Sequence, residues 1–124
     1  MKNLQALLAE KKQVEENVLF TESRIEDLTN EIQTAKSDLL EKINNYNAEI
    51  LRIKKLNLSK IAIANRIENV RYEINDAKED SALVIRDYTQ DIASEKRDLK
   101  RYAKQLVKLE QDYKVALFNK LANQ

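Results

Sequence analysis

Hydrophobic residues recur along this chain in steps of three and four. The first run passes through Leu4, Leu7, Lys11, Val14, Val18, Thr21, Ile25, Leu28, Ile32, Ala35 and Leu39. It then takes an extra step of four to Ile43 and resumes through Tyr46, Ile50 and Ile53. A second run passes through Ile67, Val70, Ile74, Ala77, Ser81, Val84 and Tyr88. After its own extra step of four, to Ile92, it continues through Glu95, Leu99, Tyr102, Leu106, Leu109, Tyr113 and Ala116. Such spacing lines one stripe of a helix with apolar side chains and forms the seam of a left-handed coiled coil. The extra steps are stutters, which locally unwind the supercoil.

The seam loses phase between the runs, over Leu56-Asn57-Leu58-Ser59-Lys60 and Ile61 to Arg66. Asn57 and Asn65 are the best left-handed residues in a chain without glycine, and Ser59 suits a helix N-cap. The reading is an all-α fold, a long antiparallel two-helix coiled-coil hairpin forming one domain over residues 1–124. Helix 1 covers about 3–56, the turn about 57–65 and helix 2 about 66–121. At 1.5 Å per residue each helix would be roughly 80 Å long. Ser23-Arg24-Ile25-Glu26 has the form of a capping box, and Asp80-Ser81 could also cap a helix. Breaks there would give a three- or four-helix bundle instead.

A fold-back pairing Leu4 with Leu121 sets Leu7 and Leu8 against Leu117 and Phe118. It also sets Leu19 and Phe20 near Leu106 and Val107, and Leu39 and Leu40 near Val84 and Ile85. At each place the stripe widens beyond what two helices cover between them. Uncovered apolar stripes mark association, so a homodimer in a four-helix arrangement, or a protein partner, is expected.

Composition narrows the options. The chain of 124 residues has no Gly and no Pro, where average usage gives roughly nine and six. Tight turns, bulges and glycine caps therefore lack their usual residue. A charged content of 35% with 43% hydrophobic residues and a net charge of +1 suits solvated helices with a narrow core. No apolar stretch approaches the ~20 residues of a membrane span, and the N-terminus is too short and polar for a signal peptide. A cytoplasm is expected, that of a cell or of a virus-infected host.

Candidate chemistry is sparse. There is no His and no Cys, which removes the usual general base, thiolate ligands and common nucleophile pairs. Without Gly no phosphate-cradling loop can be built. No catalytic residue, cofactor or metal is expected. Acids cluster at Glu22, Glu26, Asp27 and Glu31, and again at Glu73, Asp76, Glu79 and Asp80. They read first as solvated faces, and as a cation or basic-partner site second.

Two basic features remain. From Ile50 to Ile67 there is no acid, while Arg52, Lys54, Lys55, Lys60 and Arg66 interleave with Leu51, Ile53, Leu56, Leu58, Ile61 and Ile63. Arg52, Lys54, Lys55, Leu58, Lys60, Ile61 and Arg66 are the candidate partner-binding residues. Such a tip could dock on an acidic protein groove, a nucleic-acid backbone or an anionic membrane. In the simpler reading its lysines solubilise a turn whose apolar residues pack inward. The second feature is a stripe of Arg97, Arg101, Lys104 and Lys108, spaced to track phosphates but diluted by Glu95, Asp98 and Glu110. The polar seam residues Lys11, Thr21, Ser81 and Glu95 serve register and partner number. Tyr46, Tyr88, Tyr102 and Tyr113 read as core rings with a wet hydroxyl.

The layout resembles the flagellar and type III secretion export stalk proteins. More loosely it resembles prefoldin subunits, which carry β-hairpins where this chain has no strand pattern. The likeness is one of layout, without a shared motif, and transfers no residue roles. The functional expectation is a non-enzymatic protein-interaction module, an adaptor, small chaperone or inhibitor. Alternatives are a self-assembling spacer or scaffold and, behind it, a nucleic-acid-binding coiled coil.

Overall fold

The computed structural model describes residues 3–123. Two helices, α1 (Leu4–Lys54) and α2 (Lys60–Ala122), pack against each other as a helical hairpin. Among the described residues there is no strand. α1 runs unbroken through Ser23–Glu26 and α2 through Asp80–Ser81, so the bundle of shorter helices does not form. With no Gly or Pro, neither potential cap meets a residue that would stop the preceding helix.

Asn3 caps α1: its Oδ1 accepts a hydrogen bond from the Ala6 N–H at 2.8 Å, and its carbonyl accepts from the Leu7 N–H at 3.0 Å. The reversal falls earlier than the seam phase suggests. α2 begins at Lys60, so residues 60–65, expected in the turn, are helical, and the link is only Lys55 to Ser59. Neither Asn57 nor Asn65 adopts a left-handed conformation; among the described residues no φ is positive.

The chain divides into two compact units. In the first, α1 up to Leu28 pairs with α2 from Asp91; the second comprises residues 29–90. In the first unit the Arg24 Nε donates to Glu95 Oε1 at 2.8 Å across the helices, which fixes their level. This replaces the expected Leu4–Leu121 pairing: α1 residue n sits close to the level of α2 residue 120 − n. Leu4 then falls at Ala116. Leu117, Phe118 and Leu121 lie past the start of α1, 36%, 70% and 58% exposed. The shift follows from the earlier start of α2.

All fifteen expected α1 seam positions are buried or half-buried. On α2 one differs. Val84 is 45% exposed and Ile85 takes its place, which moves the stutter to Ala77, Ser81 and Ile85. With that change the two seams step as mirror images, from Leu4 and Ala116 to Ile53 and Ile67. The stutter on α2 then lies against Ala35, Leu39 and Ile43, the stutter on α1. Helices that unwind at the same level keep their side chains interlocked.

The core is thin. Leu7, Leu28, Ile53, Val70 and Leu109 are the buried apolar residues, at 9% exposure or less, with Thr21 as a buried polar neighbour at 4%. Ser81 carries a buried hydroxyl with no hydrogen-bond partner. Removing an unpaired buried hydroxyl and gaining helix propensity are both favourable. Ser81→Ala is therefore expected to stabilise the fold by about 1 kcal/mol, read as a rise of roughly 3–5 °C in thermal unfolding.

Candidate functional site

The tip is built from the ends of both helices. The last turn of α1 tightens, with the Lys55 N–H donating to the Arg52 carbonyl and the Leu56 N–H to the Ile53 carbonyl, each at 3.1 Å. These shorter loops satisfy carbonyls that the helix end would leave open. Ser59 then starts α2. Its Oγ accepts from the Ala62 N–H at 3.2 Å and its carbonyl from the Ile63 N–H at 3.0 Å. Ser59 is the N-cap its sequence position suggests. Ser59→Ala is expected to cost about 1 kcal/mol of local stability, seen as faster amide exchange over the first turn of α2 with little change elsewhere.

Ile53 is buried, and Ala62, Ile63 and Ile67 are half-buried, so part of the apolar content packs inward. The rest does not. Leu51 is 59% exposed, Leu56 41%, Leu58 40% and Ile61 75%. Around them Arg52, Lys54, Lys55, Lys60 and Arg66 are all exposed. The structure thus places every sequence-assigned tip residue in the second unit, each exposed, at or beside the reversal between α1 and α2.

The five cations are not equivalent. Arg52 and Lys54 stand in the last turn of α1, where the helix dipole favours positive charge. Lys60 stands in the first turn of α2, which has no acid, at the end where a cation is disfavoured. Helix stability accounts for Arg52 and Lys54; it does not account for Lys60.

Comparison with protein-family models, curated proteins and solved structures finds no match to this chain. Its surfaces are therefore read on their own chemistry.

The second basic feature fares differently. Arg97, Arg101, Lys104 and Lys108 all lie exposed on α2 in the first unit. Arg101 is engaged on its own helix, with its guanidinium 3.5 Å from the Asp98 carboxylate and 5.3 Å from the Tyr102 ring centroid. Lys108 borders an open groove beside Asp112 and Glu10, floored by Leu7, Val14, Leu109 and Ala116. Acids thus stand beside this stripe, whereas none interrupts the tip. Glu22, Glu26 and Asp27 belong to the first unit, and Glu73 to Asp80 to the second. Among the described residues no acidic group gathers closely enough to hold a metal ion. No described helix is long and apolar enough to cross a membrane.

Sequence reasoning missed the Arg24–Glu95 bridge. Glu95 in the seam was its one visible signal, since an acid there needs a cation from the facing helix. Arg24 is half-exposed and Glu95 largely covered, so the pair does more to set register than to add stability.

Proposed function

We propose that the protein is a non-enzymatic binding module, an adaptor, small chaperone or inhibitor, that works as a homodimer and engages an acidic site on another protein through its hairpin tip. The observation that carries this reading is the pairing of Lys60 with Ile61. A cation sits where the helix disfavours it, beside a branched aliphatic side chain 75% exposed to water. Both features cost a free monomer stability or solubility, and both become favourable against a partner with an acid-rimmed apolar recess. Leu56, Leu58 and Leu51 extend the apolar part, and Lys54, Lys55, Arg52 and Arg66 the basic rim.

The chain's lack of His and Cys, together with its lack of Gly, supports binding over catalysis. The experiment is a comparative capture from the source cells by the wild-type chain and by K54E/K55E/K60E, both checked for helicity. Partners retained by the first and lost by the second carry the reading; an identical set on both removes the tip as the site. Growth into large particles in the absence of a partner would favour a spacer or scaffold. Retention of nucleic acid that falls steeply with salt would favour phosphate binding along Arg97 to Lys108.

A further inference from the structure

We propose that a second copy of the chain docks on one flank of the first unit, with α1 of each copy lying against α2 of the other. This rests on reading the chain as a module that pairs with itself, and it supplies the surface and symmetry of that pairing. It does not involve the tip.

The seam leaves two flanks open in the first unit. On one flank, along the length where α1 and α2 lie abreast, stand Leu8, Leu19 and Val107, between 49% and 67% exposed. The position of each in the three-four repeat puts it beside the seam on the same side. The opposite flank holds the groove bordered by Glu10, Gln13, Gln105, Lys108 and Asp112. Its polar rim suits water, and its exposed large apolar residues are Phe20 and Val115. The aliphatic flank is the one that gains more from being covered.

Charge selects the occupant. Among the described residues of the first unit, α1 and its cap carry three cations (Lys11, Lys12, Arg24) and six acids (Glu10, Glu15, Glu16, Glu22, Glu26, Asp27). α2 from Asp91 onward carries eight cations (Lys96, Arg97, Lys100, Arg101, Lys104, Lys108, Lys114, Lys120) and five acids (Asp91, Glu95, Asp98, Glu110, Asp112). The segments are thus at −3 and +3. The aliphatic flank keeps the same signs: α1 presents Glu15, Glu22 and Glu26 against Lys12, and α2 presents Lys96, Lys100 and Lys114 against Glu110, all exposed. The level set by Arg24–Glu95 puts Glu22 and Glu26 abreast of Lys96 and Lys100.

Only one twofold arrangement uses this match. With the axis parallel to the helices, α1 of one copy faces α2 of the other at the same level. Glu22 and Glu26 then meet Lys96 and Lys100 of the second copy, and Lys12 meets its Glu110. Every neighbouring pair of helices is antiparallel, as in a four-helix bundle. With the axis perpendicular to the helices, α1 would face α1 and acids would face acids, which is repulsive.

The chain has no cysteine, so introduced thiols report contacts cleanly. Leu19→Cys and Ala103→Cys place thiols near one level on α1 and α2. Docking raises the local concentration of a facing thiol far above that of free encounter. An oxidised mixture of the two variants is therefore expected to form linked dimers at least ~10-fold faster than either variant alone. Sedimentation of the wild type should give twice the 14.5 kDa chain mass, and L8E/L19E should return it to monomer with its helicity largely kept. Linking of Leu19→Cys with itself as fast as in the mixture would overturn the symmetry. A wild type that stays monomeric at all workable concentrations, or an L8E/L19E chain that still dimerises, would overturn the surface. Capture through the tip is read separately: a chain that dimerises as described but retains the same partners in K54E/K55E/K60E would remove the tip as the binding site and leave this inference standing.

Discussion

Reversing Lys54, Lys55 and Lys60 to Glu is expected to weaken partner binding on the order of 100-fold or more while leaving both helices intact. Each reversal replaces an attraction to the partner's acids with a repulsion, and like charges set together at an interface cost several kcal/mol; every 1.4 kcal/mol is tenfold in affinity. The fold should tolerate the change because all three residues are exposed and none belongs to the seam. The helix dipole sharpens the test. Lys60→Glu puts an acid in the first turn of α2 and is expected to stabilise that helix by about 0.3–1 kcal/mol. Lys54→Glu does the opposite at the end of α1. The single variant Lys60→Glu should therefore unfold at a higher temperature than the wild type and yet bind more weakly. A mutation that damaged the fold would move both in the same direction. Calorimetric titration with a captured partner, alongside thermal melts, measures the two signs. Unchanged affinity in the triple variant would mean that the tip is not the binding surface.

The seam was legible because a repeat in steps of three and four survives occasional polar insertions. Lys11, Thr21 and Glu95 did not hide it, since the residues before and after each kept the phase. Adjacent apolar residues broke the signal. Val84 and Ile85 both satisfy a helical period, and nothing along α2 alone chooses between them. The choice comes from α1, whose stutter through Ala35, Leu39 and Ile43 needs a matching stutter on the facing strip. The register error has a similar origin. In a chain without Gly, Asn57 and Asn65 looked like the reversal, yet a tightened last turn and a serine cap make it with no left-handed residue. Once α2 begins at Lys60, every pairing along the hairpin moves by about five positions, and with it the partner of Arg24. The tip was legible as composition, an acid-free stretch of cations and aliphatics. Its exposure was not, because whether Leu58 and Ile61 pack inward depends on where α2 starts.

The same dependence of burial on the facing helix gives the largest expected effect on stability. Leu28 and Leu40 are the same residue type on the same helix, less than two heptads apart, but Leu28 is 8% exposed and Leu40 61%. Leu28→Ala removes apolar area from one of few buried positions and leaves a gap that a helix pair closes only in part. The expected loss is about 2–4 kcal/mol, or roughly 8–15 °C in thermal unfolding for a chain of this size. Leu40→Ala removes a side chain that already faces water and replaces it with the best helix former. Its effect should stay within about 0.5 kcal/mol. Both variants must be melted at one protein concentration, because association would make the midpoint depend on it. The two effects then separate the hairpin seam from any surface covered by another chain. A large loss at Leu40 would mean that its neighbourhood is buried in the protein as it exists in solution, and that a partner, or a further copy, reaches beyond the first unit. A small loss at Leu28 would be harder to accommodate. With five buried apolar residues among those described, a seam indifferent to one of them would not hold two helices of 51 and 63 residues together.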